Sequence, residues 1–218
     1  MTRLLLATSL AALTALPVSA ETFRWAGTTD PQTMDPHAVS SAPVLGFLNN
    51  VYEGLVRRGP DMAIEGSLAT SWEPIGDGEG WRFVLREGVT FHDGAEFTAE
   101  DVLFSYQRAS SEEADVRSWF ATVADVVVVD DLTVDVLTTS PQPLFPDSIA
   151  NWMMMDSGWA EANGAELPAR DTENFATRNV NGTGPFRLQS RQPDLETVLV
   201  PFDGWWGEAS HGITEAVF

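Results

Sequence analysis

The sequence predicts an α/β fold assembled from short strands, short helices and many tight turns. Three observations predict it. Trp81, Phe83 and Leu85 alternate with Arg82, Val84 and Arg86, the period of a half-buried strand with a charged outer face. Thr98-Ala99-Glu100-Asp101 is a capping box that opens a helix. Turn pairs such as Asp93-Gly94 and Asp130-Asp131 punctuate the apolar runs around them.

The elements follow in order. Arg3 precedes an apolar run from Leu4 to Leu16 that is too short to span a bilayer comfortably; Pro17 breaks it, and Val18-Ser19-Ala20 stands before Glu21. This pattern predicts a signal peptide over residues 1–20, the other reading being a buried N-terminal helix. Thr22 to Gly27 alternate as a strand with Phe23 and Trp25 on one face, followed by the turn-rich stretch Thr28 to His37. Ser40 or Ser41 offers an N-cap and Pro43 suits a first helical turn, while Val44, Phe47, Leu48, Val51 and Tyr52 recur at helical spacing. The helix opened by the capping box runs through about Arg108, with Val102, Ser105 and Tyr106 on one side. Val123 to Val129 and Leu132 to Leu137 read as hairpin partners, and Phe186 to Leu188 and Thr197 to Val200 as two further strands.

Composition narrows the function classes. The 218 residues carry a net charge of -20, and every basic residue is an Arg. Such a surface repels phosphate backbones and anionic lipid, which disfavours nucleic-acid and membrane-surface binding. An acidic, salt-tolerant secretome explains the charge better than a cation-seeking site does. Apolar residues at 44% and eight Trp support a real core. The absence of Cys excludes disulfides, thiolate metal sites, a cysteine nucleophile and a lipoprotein anchor. The expected location is the periplasm, free of any lipid anchor.

No catalytic constellation emerges. With 32 acidic residues, chance carboxylate pairs such as Asp30 with Asp35 carry no weight. There is no Gly-x-Ser-x-Gly elbow, no HExxH helix and no Walker loop; Gly182-Thr183-Gly184-Pro185 lacks the Lys of a phosphate loop, and its Pro removes an amide. His37, His92 and His211 stand in unrelated segments without zinc-ligand spacing, so no metal and no cofactor are expected. Gly88, Gly94, Gly182 and Gly184 read as turn residues that need positive φ or close backbone approach, and His92 reads as a turn-stabilising side chain.

Six blocks, in order along the chain, carry a resemblance: Met34-Asp35-Pro36-His37; Tyr52-Glu53-Gly54-Leu55; Leu68-Ala69-Thr70-Ser71-Trp72; Phe83 through Gly94 with Phe97 to Val102; Gly182-Thr183-Gly184-Pro185-Phe186; and Asp203-Gly204-Trp205-Trp206-Gly207. The chain resembles the family 5 extracellular solute-binding proteins, the peptide-binding partners of ABC importers. The resemblance implies a periplasmic-binding-protein type II-like lobe with an inserted α+β subdomain. Residues 21–50 and 182–218 are expected in the first lobe and residues 51–181 in the insertion, with the sequence stopping before the second lobe.

The resemblance also implies the function and the site. A receptor of this kind captures a peptide or similar small solute, closes by hinge motion and presents it to the inner-membrane subunits of an ABC permease, as a monomer and without catalysis. In relatives, backbone just beyond the Asp-Pro turn pairs with the extended ligand as an added strand, which places Ser40, Ser41 and Ala42 beside the solute. The competing reading makes Ser40 and Ser41 helix caps. Trp119 lies where relatives place a cleft aromatic, and Trp152 heads Trp152-Met153-Met154-Met155, whose thioethers suit an adaptable wall; both tryptophans also read as core. Without the second lobe, weak or absent binding is expected of this stretch alone. An exported scaffold without transport, or an inactive truncated fragment of such a receptor, is the alternative.

Overall fold

In the computed structural model, which describes residues 21–27, 29–209 and 212–218, the two ends of the described chain meet in one sheet. In chain order the elements are β1 (Glu21–Arg24), α1 (Ala42–Leu48), β2 (Val56–Arg58), β3 (Ile64–Gly66), β4 (Ala69–Ile75), β5 (Gly80–Leu85), α2 (Ala99–Ala109), β6 (Val123–Asp130), β7 (Thr133–Thr138), α3 (Phe145–Ser148), α4 (Ser157–Ala162), β8 (Phe186–Gln192), β9 (Glu196–Pro201) and β10 (Ile213–Val217). The first sheet has the order β1-β10-β9-β8, with β1 parallel to β10 and the remaining pairs antiparallel. The second is antiparallel throughout, in the order β4-β5-β7-β6, and β2 and β3 form a separate ribbon. The fold is α/β, as expected. The signal-peptide reading of residues 1–20 lies outside the described residues.

Local chemistry explains the elements. On β5, Phe83 and Leu85 point into the core while Arg82 forms a bidentate pair with its cross-strand partner Asp135 at 2.7 Å. The turn between β6 and β7 forms where expected, and the Asp130 carboxylate accepts from Leu132 N at 3.0 Å. Helix α2 begins at the capping box: Asp101 accepts from the Thr98 backbone N–H at 3.0 Å, and also from Ser157 N at 3.0 Å, which ties the start of α4 to the start of α2.

Helix α1 is shorter than its apolar period suggests. It ends at Leu48, where Asn49 and Asn50 donate their side-chain amides back to Leu45 O and Phe47 O at 3.0 and 2.8 Å. Val51 and Tyr52 keep the apolar spacing and are fully buried, but beyond the helix. Asn, which readily satisfies the last free carbonyls, overrides the periodic signal. Strand β1 also stops early, although Trp25 N still donates to Val217 O at 2.9 Å.

Two apolar clusters form the core. One fills the space between the second sheet and α2 with Phe83, Phe91, Phe97, Phe120 and Val136; the other surrounds α1 with Met34, Phe47, Leu48, Tyr52 and Phe186. Residues 152–155 run between them in alternation. Trp152 and Met154 enter the first cluster, Met153 and Met155 the second.

Candidate functional site: an open backbone edge held by a buried arginine

Arg108, near the end of α2, organises the site. Its guanidinium donates through Nη1 and Nη2 to the two carboxylate oxygens of Asp35, both at 2.6 Å, and both side chains are fully buried. Nε donates to Ala165 O at 3.0 Å and Nη2 also to Leu167 O at 3.3 Å. A planar five-donor fork can join three chain segments in this way; a Lys ammonium could not. Burial by itself would raise the Asp35 carboxyl, but the hydrogen bonds and charge of Arg108, with help from His37, hold it below the usual range.

His37 completes the latch. Arg108 Nη1 donates to His37 Nδ1 at 3.1 Å, so Nε2 carries the proton and donates to Met153 O at 2.9 Å. Burial first, and the neighbouring guanidinium second, depress this imidazole from 6.5 to about 3, so it is neutral. The Asp35 carboxylate further accepts from His37 N at 3.0 Å, and Thr33 Oγ1 accepts from Asp35 N at 3.0 Å. A second arginine, Arg191 on β8, grips the start of the same segment through Asp30 at 2.7 Å and the Pro31 carbonyl.

Between this latch and α1 the backbone is left open. Among the described residues, no hydrogen bond reaches the N–H or C=O of Val39 or Ser40, or the N–H of Ser41. Ser41 is extended, with φ -70° and ψ 120°, and occupies the N-cap position without a side-chain cap bond; Pro43 sits in the first turn of α1 as expected. The cap reading of Ser41 therefore holds for its position and not for its hydroxyl. Ser40, Ser41 and Ala42 are all exposed.

The Ser40 hydroxyl instead donates to Asp115 Oδ2 at 2.6 Å, and Asp115 N donates to His37 O at 3.0 Å. The segment carrying Asp115 leads into the turn Arg117–Phe120, where Trp119 is half-buried and touches both apolar clusters. The structure thus brings Ser40, Asp115 and the Trp119 turn into one region. Trp152 stands apart from solvent at 1% exposure, edge-on to Phe120 with ring centres 5.1 Å apart, so it supports that turn from behind. Met153, Met154 and Met155 are fully buried and present no wall to a solute. Alternation between two clusters consumes all four side chains.

A second network was not anticipated. Glu53, which sits between the clusters, accepts from Thr183 Oγ1 at 3.0 Å, from Trp205 Nε1 at 3.2 Å and from Trp206 Nε1 at 2.8 Å. Burial nonetheless pushes its carboxyl above the usual range. The Arg86 guanidinium lies 3.8 Å from the centre of the Trp206 ring. Nearby, the Gly182 amide donates to His92 Nδ1 at 3.3 Å, and His92 Nε2 donates to Gly184 O at 3.1 Å, the turn-stabilising role expected of His92. Gly182 and Gly184 lie against the Val51 backbone, where a Cβ on Gly184 would come within 2.7 Å of Val51 C. Gly88 and Gly94 take φ of 73° and 94°. These residues build the frame.

The arrangement offers main-chain donors and acceptors, a carboxylate and an aromatic. Comparison with known proteins supplies the family. Residues 63–218 match the model of bacterial extracellular solute-binding proteins, family 5 Middle. The chain belongs to this family. Similar curated members are the probable D,D-dipeptide-binding periplasmic protein of Escherichia coli K12, 31% identical over 79% of this chain and 34% of that one, and the dipeptide-binding protein of the same organism, 31% identical over 91% and 41%. Among solved structures, a periplasmic binding protein of Helicobacter pylori, associated with an ABC transporter and holding the peptide STSA, superposes with a TM-score of 0.79 at 25% identity, covering 91% of this chain and 42% of that one. The Burkholderia pseudomallei OppA structure gives a TM-score of 0.80 at 20% identity, covering 91% and 42%, a likeness of fold alone. This family 5 chain therefore spans well under half the length of these relatives.

Proposed function

We propose that this family 5 protein is a periplasmic receptor that binds a peptide or similar small solute without transforming it and delivers it to an ABC permease. The unpaired backbone of Val39 and Ser40, between the Arg108–Asp35 latch and the extended Ser41, is the observation that carries the reading. An extended ligand can add to such an edge through main-chain hydrogen bonds, which accept many side chains. Ser40, Ser41 and Ala42 line the edge, Trp119 flanks it, and Trp152 backs the flanking turn. In the same reading, residues 21–50 and 182–218 belong to one lobe and residues 51–181 to an insertion. The curated relatives with peptide- and dipeptide-binding names support the solute class.

The test is a chemical-shift titration of residues 21–218 with short peptides at millimolar concentration. The expected result is movement of the Val39, Ser40 and Ser41 amide signals, with the remote β6–β7 hairpin unmoved. Silence at all three amides overturns the proposal.

A further inference from the structure

In an Asn-Gly pair the glycine amide can attack the preceding side-chain amide, because no Cβ crowds the attacking nitrogen. The chain contains two such pairs, and the fold treats them oppositely. Asn181-Gly182 is locked. Asn181 is 2% exposed, donates through Nδ2 to Asp156 Oδ2 at 2.9 Å and accepts at Oδ1 from Asp93 N at 3.1 Å, while the Gly182 amide donates to His92 Nδ1. Both reacting groups are thus held in a buried frame packed against the Val51 backbone.

Asn163-Gly164 stands at the end of α4, with Asn163 half-buried and Gly164 exposed. Asn163 donates Nδ2 to Trp159 O at 2.8 Å, its one side-chain hydrogen bond among the described residues. The Gly164 amide makes a long bond to Glu161 O at 3.4 Å. Gly164 takes a φ of 62°, and nothing lies within 4 Å of where a Cβ would stand, so water reaches the pair. Reaction here opens two hydrogen bonds at a solvent-facing helix end; at Asn181 it opens three in a buried frame.

The next residue sets the consequence. Ala165 is fully buried, its N–H donates to Ala160 O at 2.8 Å, and its carbonyl accepts from Arg108 Nε at 3.0 Å. The exposed pair is therefore joined directly to the arginine that holds Asp35 and His37.

We infer that Asn163-Gly164 is a deamidation site that loosens the Arg108–Asp35 latch as the protein ages. The Gly164 nitrogen bonds to Asn163 Cγ, the Cγ–Nδ2 bond breaks, and ammonia departs with the amide proton, leaving a succinimide. Water then opens the ring at either carbonyl. One product is aspartate; the other is isoaspartate, whose backbone is longer by the side-chain methylene carbon. Each carries a new carboxylate at a helix end whose free carbonyls disfavour negative charge, and its carboxylate cannot donate to Trp159 O. The isoaspartyl form also displaces Ala165 relative to α4, and with it the carbonyl that holds Arg108 Nε.

The experiment ages the purified protein in mildly alkaline buffer and follows conversion by mass spectrometry of tryptic peptides. Arg117, Arg170, Arg178 and Arg187 place Asn163 and Asn181 in separate peptides. Each rate is divided by that of the same site in the urea-unfolded chain, which removes the effect of local sequence. On this scale Asn163 should convert at least about tenfold faster than Asn181, the factor that one further hydrogen bond to break contributes. The Arg108 Nε–H proton should exchange with solvent at least about tenfold faster in aged than in fresh protein, and Asn163→Gln aged in the same way should show no such change. Equal protection of the two asparagines, or faster conversion at Asn181, overturns the site, and this arm needs no variant to fold. Conversion at Asn163 with unchanged exchange at Arg108 overturns its link to the latch.

Discussion

Arg108 meets Asp35 through two parallel hydrogen bonds of 2.6 Å, 73 positions apart in sequence, with neither side chain exposed. This pair connects α2 to the turn that precedes the open edge. Truncating one partner leaves the other charge buried and unmatched, which costs about 3–5 kcal/mol, whereas neutralising both removes much of that penalty. Arg108→Leu should therefore lower unfolding stability in urea by about that amount, and the double variant Arg108→Leu with Asp35→Asn should be more stable than the single one. Additive losses would show that the two charges act independently.

His37 makes stability depend on acidity. Its folded-state value, about 3, lies below the 6.5 of the free side chain, so the unfolded chain binds the proton more readily. The neutral imidazole therefore contributes stability that is complete above 6.5 and is lost as pH falls toward 3. The slope this one group adds reaches about 1.4 kcal/mol per pH unit. His37→Gln keeps a donor for Met153 O and cannot titrate; denaturant melts between pH 6.5 and 3 should show a shallower decline than wild type. An unchanged slope would mean that His37 titrates alike in both states.

Glycine positions separate close approach from mere flexibility. A Cβ at Gly182 would fall inside the Val51 carbonyl, and one at Gly184 within 2.7 Å of Val51 C, so backbone must move in either case. Gly182→Ala should cost about 1–3 kcal/mol or more in thermal or urea unfolding. Gly46 is the control, inside α1 and exposed, with nothing within 4 Å of a new Cβ. Gly46→Ala should stabilise by about 0.5–1 kcal/mol, because Gly loses more backbone entropy in a helix. If both substitutions behave alike, the contact with Val51 is not what fixes Gly182.

Much of the fold was legible because its signals are local. The β6–β7 hairpin, the Thr98–Asp101 box, the outer charges of β5 and the positive φ of Gly88 and Gly94 each depend on a few neighbouring residues. Strand β4 was harder to read, since Pro74 lies in it; as an edge strand of its sheet it tolerates the missing N–H. The site was only half legible. Ser40 to Ala42 were named, but Asp115 was not, because nothing near it in sequence distinguishes it from the adjoining Glu112 and Glu113. Trp152 and the three methionines looked suited to a solute and are absorbed by two cores that no local pattern separates.

The order of residues alone determined where strands turn, where α2 starts and which blocks place the chain in its family, since each of these is settled by torsional preference and hydrogen bonds over a few positions. Packing decided the rest. A buried guanidinium has to find its carboxylate, its imidazole and two carbonyls somewhere in the molecule, and only the folded chain reveals that Arg108 finds them at Asp35, His37, Ala165 and Leu167, leaving the backbone beside Ser40 open.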